Sequence, residues 1–148
     1  LGQAIYIVSQ PVIGSAVYGA QASAAITLSS SSATATANLA FTLALGVGSV
    51  GGTVTPTAMA AQGDTVYLLQ TLSTGLSGTS TLAVGSVNAV VGASSESYNF
   101  LFVPVGGYQV QSLRSTLNAD GSTTVLRSGT SPSFTVNLAA TASQNITF

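Results

Sequence analysis

The chain has 148 residues, enough for one domain with an additional arm, and its only charged side chains are Arg114, Arg127, Asp64, Glu96 and Asp120. Lys, His, Cys and Trp are absent, which excludes ordinary zinc, haem and thiolate sites and any disulfide. Two guanidinium groups are too few to neutralise a run of phosphates, which excludes nucleic acid as a partner; an apolar fraction of 46% excludes disorder.

Charged residues make up 3% of the chain, against about 25% in a usual globular protein. Ser and Thr together supply 41 of its residues. So neutral and apolar a chain associates unless hydroxyls or attached sugars keep it apart, because little charge repulsion separates the copies. The composition resembles that of exported cell-surface proteins, so an extracellular location is expected. Leu1 in place of Met fits a mature chain whose leader has been removed.

Residues 1–22 are expected to form an N-terminal arm, and residues 23–148 a single β-sandwich domain. Within the arm, Ala4, Ile5, Tyr6, Ile7 and Val8 form an apolar run without alternation, so both faces of a strand there want burial. Pro11 restricts this run to an edge or a strand end. Four serines at 29–32 make a break. Residues 33–45 show the clearest alternation, with Ala37, Leu39, Phe41 and Leu43 on one side and Thr36, Asn38 and Thr42 on the other; a long strand is expected. The polar residues also break any run long enough for a spanning helix. An outer-membrane barrel would lack its aromatic girdles. Residues 46–52 read as a hinge.

Shorter strands follow at 53–55, 65–70, 82–91, 97–103, 108–113, 123–127, 133–138 and 144–148. In the fourth of these, Tyr98, Phe100 and Phe102 alternate with Asn99, Leu101 and Val103. Asn118, Ala119, Asp120 and Gly121 carry a hairpin turn signal. This rhythm of strands and turns predicts an all-β, Ig-like antiparallel sandwich.

Several segments match a known pattern in order. Gly52-Thr53-Val54-Thr55, Gly63-Asp64-Thr65-Val66-Tyr67-Leu68, Tyr98-Asn99-Phe100 and the run from Val103-Pro104 through Gly106-Gly107-Tyr108 to Val110 resemble carboxypeptidase-regulatory-like and Cna-B-like modules. The closing pair, residues 133–137 and 145–148, fits the same pattern. The likeness covers about residues 50–148 and implies an Ig-type sandwich used as a spacer, stalk or pilin part. Members that form isopeptide bonds use a Lys, which this chain lacks. The arm resembles those of extracellular filament subunits joined by donor-strand complementation, in which one copy's N-terminal strand fills the open groove of the next. Ala4, Ile5, Tyr6, Ile7, Val8 and Val12 are the candidate donor residues; the competing reading makes them the first strand of their own sandwich.

No His or Cys is available as base or nucleophile, and no catalytic residue, metal ligand or cofactor is expected. Arg114 and Arg127 flank the Asp120 turn and are expected to face solvent or pair with Asp120. Asn145-Ile146-Thr147 is a glycosylation sequon, making Asn145 a candidate glycan site. The expected function is a structural subunit of a self-assembling extracellular filament or pilus, its partner being further copies of itself. The alternative is a monomeric surface adhesion, stalk or carbohydrate-binding module. Assembly through so few charges is expected to resist changes of pH and salt.

Overall fold

The computed structural model describes residues 4, 5, 7–9, 12, 13, 17–24, 26, 27, 34, 36–40, 44, 46–56, 63–73 and 79–148. It is all-β, with no helix among these residues. Six short strands come first: β1 (Ala4–Ile5), β2 (Val8–Ser9), β3 (Val12–Ile13), β4 (Val17–Tyr18), β5 (Gln21–Ala22) and β6 (Ile26–Thr27). The sandwich strands are β7 (Val47–Thr55), β8 (Thr65–Ser73), β9 (Thr79–Asn88), β10 (Val90–Val91), β11 (Glu96–Pro104) and β12 (Gly106–Leu117), then β13 (Thr123–Thr130), β14 (Phe134–Val136), β15 (Thr141–Ser143) and β16 (Ile146–Thr147).

One sheet has the order β10-β11-β7-β15, with β16 also on β7; the other has the order β13-β12-β8-β9, with β14 also on β12. The pairing is antiparallel except that β15 and β16 run parallel to β7, so the first sheet is mixed. Inward side chains from both sheets meet in one core: Val50, Val54, Val66, Leu68, Val84, Tyr98, Phe100, Val103, Tyr108, Val110, Val136 and Ile146. Burying a side chain of this kind contributes about 1.5–3 kcal/mol. With no disulfide and few ion pairs, this burial and the ladders hold the fold.

The register defines two ends. At the upper end Val47 lies opposite Pro104, and Gly106 opposite Val136. At the lower end Val54 lies opposite Glu96, and Leu117 opposite Thr123.

Three expectations need correction. Residues 46–52 are not a hinge, because β7 already begins at Val47. In residues 33–45, the described positions 34, 36–40 and 44 belong to no strand. Exposure does alternate there, with Ala37 and Leu39 half-buried between exposed Thr36, Asn38 and Ala40, but alternation without a ladder partner does not make a strand. Finally, Phe102 does not follow Tyr98 and Phe100 inward. A bulge between Phe100 and Val103 shifts the register. Phe102 sits at φ 55° and is exposed, while Val103 enters the core. The extra residue of a bulge reverses the facing of everything beyond it.

Candidate functional site

Four of the five charged side chains converge inside the lower end. Asp64 precedes β8, Glu96 opens β11, Arg114 lies on β12 and Arg127 on β13. Arg114 Nε donates to Asp64 Oδ1 at 2.7 Å and Arg127 Nε to Asp64 Oδ2 at 2.8 Å. The Nη2 atoms of the same two arginines reach Glu96 Oε1 at 3.3 and 3.0 Å. Each guanidinium therefore bridges both carboxylates. The backbone N–H of Asp64 donates to Glu96 Oε2, and Ser112 Oγ donates to Asp64 Oδ2 at 2.6 Å. Arg127 Nη1 also reaches the Pro56 carbonyl at 2.7 Å, and its guanidinium carbon stands 4.6 Å from the centre of the Phe148 ring.

Both carboxylate side chains are wholly buried. Burial alone would raise the Asp64 pKa; the hydrogen bonds from Arg127, Ser112 and Arg114 and the Arg127 charge outweigh it and hold the carboxyl below its ordinary value. The quartet carries no net charge and ties β11 of one sheet to β8, β12 and β13 of the other. Gly63 admits this arrangement, because a Cβ there would stand 1.9 Å from the Ala89 carbonyl oxygen and 3.0 Å from Glu96 Oε2.

The arginines thus do not face solvent or pair with Asp120, as the chain order suggested. Asp120 stands alone on the surface and closes its own turn, its Oδ1 accepting from the Ser122 hydroxyl at 2.6 Å and the Ser122 N–H at 2.9 Å. Those bonds hold its pKa below the ordinary value.

Two tyrosines pin the core. Tyr108 donates to the Pro104 carbonyl at 2.9 Å across the turn between β11 and β12 and anchors that corner. Tyr98 donates to the Gln144 carbonyl at 2.6 Å and so ties down the β15–β16 segment. Burial pushes both phenols up to about 12. Tyr108→Phe leaves a buried carbonyl without its donor and is expected to cost about 1–3 kcal/mol, read as a lowered urea midpoint at unchanged slope.

The candidate donor residues among the described ones fall in a hairpin. Ala4 and Ile5 lie in β1 opposite Thr27 and Ile26, Val8 in β2 opposite Ala22, and Val12 in β3 opposite Tyr18. Ile7 and Ser23 close the gap, Ser23 N–H donating to the Ile7 carbonyl at 2.8 Å and Ile7 N–H to Ser23 Oγ at 3.0 Å. Tyr6 lies outside the described residues. The pairing spans residues 4–27 and so crosses the expected boundary at residue 22. Of this segment, Ala20 reaches the core. Asn145 is exposed just before β16, its Oδ1 accepting from Thr53 N–H at 3.0 Å and from the Thr53 hydroxyl at 3.1 Å.

Several strand edges lack a ladder partner on one side among the described residues, although β2 packs against β9. β9 has a ladder partner, β8, on one side only. β11 pairs with β10 only at Glu96 and Ser97, leaving residues 98–104 without a ladder partner on that side. β9 carries neither a charge nor a proline, the usual protection against edge-to-edge pairing, whereas the unpaired stretch of β11 ends in Pro104. Comparison with protein-family models, curated proteins and solved structures gives no match.

Proposed function

We propose that the chain is a structural subunit of a self-assembling extracellular filament or pilus, polymerised by donor-strand complementation. The segment around Ala4, Ile5, Tyr6, Ile7, Val8 and Val12 leaves its hairpin and pairs with an open strand edge of the next copy, whose ladder bonds give affinity and whose pockets take alternate side chains. Such a contact is heterologous and does not close, so it propagates.

One observation carries this reading. The few charges the chain has are withdrawn into the lower end, leaving Asp120 as the charged side chain on the sandwich surface. Copies meet without repulsion, and the β9 edge carries no gatekeeper. The likeness of residues 50–148 to Ig-type spacer and pilin modules belongs to the same reading, as does a glycan on Asn145.

A covalent lock on the hairpin tests it. Ser9 and Gln21 are register partners, and the chain has no cysteine of its own. The Ser9→Cys, Gln21→Cys double variant, once oxidised, is expected to stay a single 14.6 kDa species, and reduction is expected to release filaments visible in negative stain. Deleting residues 1–12 should also give monomers only. Oxidised protein that polymerises like the reduced form would overturn strand exchange. Monodisperse protein in every form would leave the monomeric adhesion or sugar-binding module as the better account.

A further inference from the structure

The N-terminal hairpin is docked on the sandwich of its own chain. β2 packs against β9, and β5 against β8. β8 has ladder partners on both sides, β12 and β9, so β5 reaches it across a face of the sheet. Ala20, between β4 and β5, is buried with the core residues. The hairpin therefore covers the sandwich on the side of β9, the strand with a ladder partner on one side only.

Ser23 holds the hairpin shut at Ile7. It is 3% exposed. Its N–H donates to the Ile7 carbonyl at 2.8 Å, and its Oγ accepts the Ile7 N–H at 3.0 Å, a bond that a regular antiparallel pair would give to the Ser23 carbonyl. The same hydroxyl donates to the Ala24 carbonyl at 2.8 Å. Nearby, Ser9 Oγ accepts the Gln21 N–H at 3.1 Å. These bonds join the two arms of one hairpin, so they exist only while it is closed. Ile7 stays 46% exposed in this state, which leaves one donor side chain short of the burial that drives association.

We infer that the hairpin is an autoinhibitory cap and Ser23 its clasp: each copy covers its own β9 side until Ser23 releases Ile7, and only then does the equivalent segment of another copy take that place. This step rests on the filament reading and adds what controls it. Exchange of an identical element between copies remakes the contacts it breaks, so the opening of the hairpin sets the rate. Weakening the clasp destabilises the closed state alone and raises the population of open, exchange-competent chains.

Two measurements on the full chain test it. Ser23→Ala removes the hydroxyl and strands the Ile7 N–H. Hydrogen exchange at the amides of residues 4–27 is expected to quicken. The lag before filaments form, followed by light scattering at equal chain concentration, is expected to shorten about tenfold, the effect of one lost buried hydrogen bond. If Ser23→Ala unfolds, Ser9→Ala takes its place and is expected to act in the same direction. The second measurement reads the cap itself. The chain has no cysteine, so Ala83→Cys, at an exposed position of β9, carries a single nitroxide. That nitroxide is expected to broaden the amide signals of Val8 and Ser9 in monomer kept below the assembly concentration. Sharp Val8 and Ser9 signals would overturn the cap. Unchanged exchange in Ser23→Ala, or faster exchange with an unchanged lag, would overturn the clasp and leave strand exchange standing. A parent that stays monomeric while Ser23→Ala forms filaments would support the clasp. Parent and variant that both fail to assemble at any concentration would overturn the filament reading and the gating with it.

Discussion

Asp64→Ala is expected to destabilise the fold by about 3–5 kcal/mol, because removing one partner of a buried ionic group leaves the others buried and unmatched. Asp64 accepts from Arg114, Arg127 and Ser112. Without it two guanidinium groups share the single carboxylate of Glu96, and the Ser112 hydroxyl loses its acceptor. A loss of that size is a large part of the roughly 5–15 kcal/mol that holds a small domain folded. Replacing all four charged residues together by apolar ones of similar volume should behave differently. Such exchanges are often neutral or stabilising, by about 1–4 kcal/mol, since the cost of desolvating the ions disappears. Urea unfolding of the single and quadruple variants separates the cases. A single variant within about 1 kcal/mol of the parent would mean that water reaches the quartet and screens it, as at exposed pairs. A quadruple variant as unstable as the single one would mean that the hydrogen bonds among these groups, and not their mutual neutralisation, hold the lower end together.

The strand pattern was legible because a half-buried strand shows its core face at every second position. It set Tyr98 and Phe100 on one face of a strand, the face that enters the core. The same periodicity held an unused signal for the quartet. Glu96 is in phase with Tyr98 and Phe100, Arg114 with Tyr108, Val110 and Ser112, and Asp64 with Val66 and Leu68. Charged residues in phase with a buried face must find one another, since isolated buried charges are too costly. Proximity in the chain suggested Asp120 as the arginine partner, but the true partner, Asp64, lies 50 and 63 residues away. Strand pairing within one sheet brings Asp64, Arg114 and Arg127 together, and the stacking of the other sheet adds Glu96.

Two other features were not legible, for different reasons. The bulge in β11 adds a residue with no composition mark, so nothing in Phe100-Leu101-Phe102-Val103 says which aromatic turns outward. In residues 33–45 the alternation was real as a pattern of exposure over the described residues 36–40. It failed as evidence of a strand because a ladder needs a neighbour, and a single segment does not encode one. The mixed character of the first sheet was hidden similarly, since parallel pairing of β15 and β16 on β7 depends on how the chain returns across the sandwich.

Stability is expected to stay level across the mid-pH range and to fall at both extremes, more steeply in alkali. No His, Lys or Cys side chain is present to titrate between the carboxylates and the tyrosines. On the acid side the Asp64 carboxyl is held below its ordinary 3.8. A lowered folded pKa gives stability that is complete above the unfolded value and disappears as pH falls through the folded one. Acid loss should therefore begin only below 3.8, which matches the acid tolerance expected of so sparsely charged a chain. On the alkaline side Tyr98 and Tyr108 are raised from 10.0 to about 12. The unfolded chain ionises first, so their contribution is complete below pH 10.0 and is eroded between there and about 12. A gap of that width corresponds to roughly 2–3 kcal/mol for each phenol. Together they approach the whole stability of a marginal domain, so unfolding should occur within that window, with phenolate absorbance near 295 nm rising at the same pH as the loss of strand signal. Tyr98→Phe removes one of the two ionising groups and should flatten the alkaline limb by about half, whatever it does to stability at neutral pH. An alkaline limb unchanged by that substitution would show that Tyr98 already ionises in the folded state at its ordinary pH, and that water reaches the hydroxyl at Gln144.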